Sequence, residues 1–334
     1  MFFTILLFLV TVPYLSHAPP TSGTAQRKMK TRKVYPGEVH HVCQQTIDEV
    51  LIFYTVSDYL VFFTIICTVA RRYGIKVLAM CPMVDHTHQV VVVPSESGLS
   101  GFVQQYTHLF SREWNRSRGR TGSLFKHRYM SSVKLGNKQA RTLINYNNNN
   151  PVERKLVERA EEYRWNFLRY AKEKSPFSEP LKLSDKSALF RNILKEVDGI
   201  FKGDGHLQYR QLERWKKYLG QTEMQQLSDY IIHRWNVIDY DSAVAYYGDF
   251  DAMLRSCHDN TGSDYDIRED RNHYSDAVYQ ECTRLLLKSH LINHPFEIPC
   301  LPIEKKRQLE EYLHYRTSAT PRQLQKYLHL PRGK

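Results

Sequence analysis

Four side chains in this sequence have the types and spacing to do chemistry together: two imidazoles, a phenol and an amide. His86 and His88 lie two apart in the β-rich run VDHTHQVVVV. Period-two geometry turns both imidazoles to one face of a strand. Two imidazoles side by side can ligate one divalent metal ion. The plainer alternative is a polar strand face with two incidental histidines. The phenol is Tyr146, in the stretch INYNNNNPVERKL, and the amide is Asn150, four residues later. On a helix they share a face, so a phenol and an amide oxygen could both meet the histidine pair. Asn150 could equally cap a new helix, with Pro151 at its first position and Glu153 completing something like a capping box. The residue before a proline disfavours helical backbone. The preceding helix is therefore expected to end at about Asn150, with the other asparagines tolerating the turn.

The elements that must carry these residues follow from pattern. Val39–Thr46 predicts a strand. Ser57 is an N-cap candidate for the buried helix DYLVFFTIICTVARRYG, closed by Gly74. IKVLAMCPM and HTHQVVVVP predict adjacent antiparallel strands either side of Pro82–Asp85. A second amphipathic helix runs from Gly98 to about Asn115. A basic glycine-rich loop and a strand within SLFKHRYMSSVKL follow, then a third helix from Lys138. The order β-α-β-β-α-β-α predicts an α+β fold of ferredoxin-like type, an antiparallel sheet with helices. After KSPFSEPLKLSD, a linker by composition, residues 185–334 read as mostly helical. Residues 302–334 could form a terminal helix-turn-helix, with Thr320 capping and Pro321 at the first helical position.

Composition sets the outer bounds. The 334 residues are 42% hydrophobic and 25% charged, which fits a globular chain of one large or two ordinary domains. Net charge is +12, and it is concentrated: nine Lys/Arg and one acid, Glu113, lie between Arg112 and Arg141. A basic block interleaved with aromatics points to a nucleic-acid backbone; a solvated basic face is the alternative. The six cysteines (Cys43, Cys67, Cys81, Cys257, Cys282, Cys300) include no C-x-x-C pair, so free thiols are expected. Residues 1–28 are an apolar leader or a mis-assigned start, with Met29 as the favoured beginning.

From about Met29 to Tyr170 the chain resembles the REP-associated tyrosine transposases, a branch of the single-tyrosine HUH transposases. Five stretches match in order: PGEVHHV, RRYGIKVLAMCPMVDHTHQVVV, NRSRGRTGSLFKHRY, INYNNNNPVERKLV and EEYRWNFLRYA. The resemblance implies an HUH nuclease domain over residues 29–175, followed by a helical C-terminal region over 176–334. It implies His86 and His88 as metal ligands, Tyr146 as nucleophile and Asn150 as third ligand, with Mg²⁺ or Mn²⁺ as the ion. Thr87, Asp85, Asn147 and Asn149 depart from the family pattern.

The expected activity is a transposase-like DNA strand transfer, nicking and rejoining single-stranded or hairpin DNA through a 5′-phosphotyrosine. A catalytically inactive, transposase-derived DNA-binding or regulatory protein is the alternative. Arg112, Arg116, Arg118, Arg120, Lys126 and Arg128 are the expected backbone contacts, and Tyr129 or Trp114 would stack on a base. The expected partner is DNA of repeat sequence and not a membrane, for a cytoplasmic, nucleoid-associated monomer or homodimer.

Overall fold

The computed structural model describes residues 34–133, 135–260 and 275–331. The leader and the alternative start at Met29 lie outside the described residues. Four strands, β1 (Val39–Gln45), β2 (Lys76–Pro82), β3 (His86–Val92) and β4 (Met130–Val133), form one sheet in the order β2-β3-β1-β4. All neighbouring pairs are antiparallel. This is the expected ferredoxin-like arrangement: β3 sits between β1 and β2, which therefore need the crossover helix α1 (Val56–Arg72) to connect them. The second helix, α2 (Glu96–Arg118), crosses between β3 and β4, and α3 (Asn137–Glu153) follows β4.

The sheet has two interiors. Val42, Val77 and Val91 pack with Phe62 and Phe63 of α1 and with Tyr106 and Phe110 of α2. Val39, Ala79 and Val90 pack with Ala140, Leu143 and Ile144 of α3. Alternation along β1 and β3 makes this division, and in β2 the register shift between Val77 and Ala79 turns these two residues to opposite faces.

Among the described residues eight further helices follow, in keeping with the helical pattern read after 185: α4 (Ala188–Lys202), α5 (Tyr209–Lys216), α6 (Gln221–Trp235), α7 (Tyr240–Ala245), α8 (Phe250–Asp259), α9 (Ala277–Lys288), α10 (Ile303–His314) and α11 (Pro321–Leu328). The described residues form one compact unit. Phe190, Leu194, Ile231 and Trp235 belong to the same core as α1, so α1 is apolar around its whole circumference because helices cover both of its sides.

One helix cap differs from expectation and one agrees with it. Thr55, not Ser57, caps α1, because Asp58 three residues on completes a capping box with it. At the chain's end Thr320 caps α11 with Pro321 at the first position. Leu324, Tyr327 and Leu328 of α11 are buried, so this helix is docked by its apolar face.

Among the described residues no helix is long and apolar enough to cross a membrane. Of the six cysteines only Cys300 is exposed.

Candidate active site on the α3 face of the sheet

His86 and His88 point to the same face of β3, with ring centroids 4.6 Å apart and planes at 90°. The α3 helix lays Tyr146 across them. Its ring centroid is 5.6 Å from that of His88, edge-on. A third imidazole joins the group. His41 of β1 stacks on His88 at 5.2 Å and lies 5.4 Å from Tyr146, edge-on. The register explains it: Cys43 is opposite His88 and His41 opposite Val90, so His41 and His88 are diagonal neighbours on one face. The sequence shows two adjacent histidines in β1, and only the cross-strand register tells which one faces α3.

Each histidine of the pair has its Nδ1 held from behind. Asp85 Oδ1 accepts from His86 Nδ1 at 2.5 Å, and His41 Nε2 shares a hydrogen bond of 3.0 Å with His88 Nδ1. This is the outer-shell pattern that fixes the tautomer of a metal-binding imidazole and turns Nε2 toward the ion. Burial, then the neighbouring His86 and Arg154, push the His88 imidazole well below its ordinary pKa. It is therefore neutral, as a ligand must be. The chemistry of the pair fits a divalent ion taken through Nε2. Among the described residues no three His, Cys, Asp or Glu side chains are grouped to hold an ion, so such an ion needs an amide or a phosphate oxygen to complete its shell. Asn150 is buried one turn after Tyr146, with its Nδ2 donating to the Tyr146 carbonyl at 2.9 Å.

The asparagine run does not make a turn. Residues 145–150 are helical and buried, and α3 continues through Pro151 to Glu153. No new helix starts at Pro151. The ladder closes past the proline through Arg154 N–H to the Asn150 carbonyl at 3.0 Å, so only the last turn has to absorb the missing donor. The amides serve the opposite side of α3. Asn145 Nδ2 donates to Ser256 Oγ at 2.9 Å and Asn149 Nδ2 to the Cys257 carbonyl at 2.7 Å. Both acceptors lie in α8. A helix covered by the sheet on one side and by α8 on the other can bury polar residues where their amides gain partners, as Asn145 and Asn149 do.

Behind the histidines lies a charged cluster that sequence reasoning did not single out. Lys326 of α11 pairs with Asp85 at 3.5 Å and Glu49 at 3.0 Å, and Arg322 pairs with Glu49 at 3.0 Å. Burial alone would raise the Asp85 carboxyl, but His86, Lys326 and Arg154 hold it well below the usual carboxylate range. Burial, with Asp85 next, pushes Asp276 up to about 6. Burial works against the charge of Arg154, yet Asp276, Asp85 and Tyr146 beside it raise its pKa. The chain thus places a fixed cation close to Tyr146.

The expected DNA contacts divide. Arg112, Arg116 and Arg128 are exposed, Arg116 with Glu113 at 3.1 Å. Lys126 is half-buried, its Nζ 2.7 Å from Gln45 Oε1, and Gln45 is paired with His86 in the sheet. Tyr129 is half-buried, with its hydroxyl 3.3 Å from Ser100 Oγ. Two expectations need correction. Arg118 turns inward: its side chain and that of Asp58 are both 0% exposed and pair at 2.6 Å, with the guanidinium 4.1 Å over Trp114. It holds α2 to the start of α1 and cannot reach a phosphate. Trp114 is itself core, donating to the Ile52 carbonyl at 3.0 Å, so it cannot stack on a base. Arg120 is half-buried and donates to the Pro299 carbonyl at 3.2 Å.

Residues 34–150 match the family model of IS200-like transposases. The matched stretch contains the first three of the five ordered motifs and the fourth as far as Asn150. Among solved structures, a REP-associated tyrosine transposase bound to a REP hairpin is similar, at 18% identity and a TM-score of 0.36, over 48% of this chain and 96% of that one. The score is too low to carry the fold, which stands on the strand order itself. No curated protein matches the chain.

Proposed function

We propose that this protein is a transposase-like DNA strand transferase with Tyr146 as nucleophile. The observation that carries the reading is the single face on which Tyr146, His86 and His88 meet. His86 and His88, with Asn150 as third ligand, would hold Mg²⁺ or Mn²⁺, which when bound polarises the scissile phosphate and offsets its charge.

The chain's own residues do the rest. The Tyr146 oxygen attacks phosphorus, a new P–O bond forms to the tyrosine, and the P–O3′ bond breaks. The 3′ oxygen leaves as a hydroxyl, taking a proton. Arg154 favours the tyrosinate that attacks. Reversal by a 3′-hydroxyl rejoins strands without a nucleotide cofactor. Arg112, Arg116, Arg128 and Lys126 supply phosphate contacts, and Tyr129 a stacking surface. A DNA substrate of this kind puts the protein in the cytoplasm with the nucleoid.

The test is cleavage of single-stranded hairpin DNA with and without Mn²⁺, by wild type and by His86→Ala/His88→Ala. Metal-stimulated cleavage should vanish in the double variant while DNA affinity stays within about threefold, because basic contacts set affinity. Equal Mn²⁺ affinity in the two proteins would remove the metal site.

A second reading, DNA binding without cleavage, is favoured by one observation: Tyr146 is only 7% exposed. Tight hairpin binding with no cleavage under any divalent metal would select it.

A further inference from the structure

A cavity of about 450 Å³ opens beside the turn that joins β2 to β3, where Val84 lines it. Its outer wall comes from α9 and α11, beyond the stretch that matches the transposase family. The walls are aromatic. Tyr59 stacks on Trp165 at 4.4 Å and 8°. Tyr279 stacks on Tyr327 at 6.0 Å and 9°, and Tyr54 leans on Tyr327 at 5.7 Å.

The hydroxyls of Tyr54, Tyr59 and Tyr327 are already engaged. Tyr54 donates to the Tyr327 carbonyl at 2.5 Å. Tyr59 meets the Tyr163 hydroxyl at 3.4 Å, and Tyr327 meets Thr283 Oγ1 at 2.8 Å. One polar atom is not. Asp276 lines the cavity, is 5% exposed, and its Oδ2 has no hydrogen-bond partner among the described residues. Although Asp276 stands at the N-cap position of α9, its side chain makes no capping bond. A buried carboxylate oxygen left without a donor is costly. The residue lines a space walled by flat rings, which suits a flat ligand carrying N–H groups at its edge.

We propose that this cavity receives one unpaired nucleobase bearing an exocyclic amine, stacked between the aromatic walls with the amine donating to the Asp276 carboxylate. The proposal rests on the DNA reading of the neighbouring site for its source of bases. Val84 directly precedes Asp85, the residue that holds His86, and Asp276 is within electrostatic reach of both. A base seated here belongs to a strand passing close to Tyr146. Extruded bases are read in this way elsewhere, by edge hydrogen bonds and ring stacking, and an already unpaired base gives up least in entering. Exposed Arg284 at the mouth is placed to meet the phosphate attached to such a base.

Two measurements on the full chain test the idea. Calorimetric titration with deoxyadenosine, deoxycytidine and deoxyguanosine should show binding to at least one of them at about 1 mM. Deoxythymidine, which lacks the amine, should bind roughly tenfold more weakly. Gln280→Trp, an exposed substitution at the mouth, should abolish binding, and Asp276→Asn should weaken it roughly fivefold. In parallel, 2-aminopurine is placed in turn at each unpaired position of a hairpin oligonucleotide. One position should lose its fluorescence on binding, and Gln280→Trp should restore it. If hairpin DNA is bound but no deoxynucleoside binds and no position is quenched, the base pocket is wrong and the DNA reading survives. If deoxynucleosides bind and hairpin DNA does not, the DNA reading is wrong and the base pocket survives. Unchanged binding in Gln280→Trp would also overturn the proposal.

Discussion

Successive residues of β1 and β3 face two different interiors. Val42 and Val91 turn toward α1 and α2, where the packing is apolar and the rings of Phe62, Tyr106 and Phe110 close it. His41, His86 and His88 turn toward α3, where imidazoles, a phenol and buried amides meet. Even the charge on the two sides differs in kind. The α1/α2 side holds an enclosed pair, Asp58 with Arg118, in which Asp58 Oδ1 also accepts from Tyr209 at 2.7 Å and Oδ2 from the Tyr54 and Thr55 amides at 3.0 and 2.8 Å. The α3 side is backed by an extended network, Glu49, Asp85, Asp276, Arg154 and Lys326, that no single pair closes. One side is organised to hold the helices in place, the other to hold side chains ready for a reaction.

The comparison can be broken by moving damage from one side to the other. The largest effect on function is expected on the α3 side. His86→Ala/His88→Ala should lower metal-stimulated cleavage by on the order of 10³-fold or more, with unfolding free energy changed by no more than about 2 kcal/mol. The largest effect on stability is expected on the other side. Arg118→Met strands the buried Asp58 carboxylate and should cost about 3–5 kcal/mol in denaturant unfolding. Metal affinity of the molecules that remain folded should not change.

Smaller effects sharpen the picture of the backing network. Asp85→Ala removes the acceptor behind His86 and should weaken Mn²⁺ binding by roughly 10–100-fold. Lys326→Met acts one step further back and should stay within about tenfold. A larger loss from Lys326 than from Asp85 would mean that α11 serves the site by another route.

The smallest expected effect is a pH dependence. The Asp276 carboxyl is raised to about 6 in the folded chain, above its unfolded value near 4. The folded state therefore binds more protons between these values, and Asp276 makes stability fall as pH rises from about 4 to about 6. Asp276→Asn should remove that slope and stabilise the protein at pH 8 by at most about 3 kcal/mol. Equal gain at pH 8 and pH 4 would mean that the carboxyl is not the cause.

Much of the α3 side was legible in the sequence because it rests on short periods. Spacing two placed His86 and His88 on one face, and Tyr146 fell on the helix that covers it. The strand order followed from the alternation of β-rich runs with two apolar helices. What could not be read depended on contacts distant in the chain. His41 needed the β1–β3 register. The asparagines looked like turn formers because the acceptors that bury them, Ser256 and Cys257, lie more than a hundred residues away. Arg118 looked like its exposed neighbours because Asp58, which pulls it inward, lies sixty residues earlier. Local charge density gives the number of cations on a segment, and tertiary partners decide which of them reach solvent.

The central claim is that Tyr146 attacks DNA. Its most direct test is to incubate the protein with Mn²⁺ and single-stranded hairpin DNA labelled at either end, isolate any denaturant-stable adduct, and locate the modified residue by peptide mass spectrometry. The account predicts an adduct carrying the 3′-side fragment on the peptide that contains Tyr146, and none in Tyr146→Phe, which should keep the fold and the DNA affinity. An adduct that persists in Tyr146→Phe, or that maps to Tyr106 or Tyr129, would contradict it.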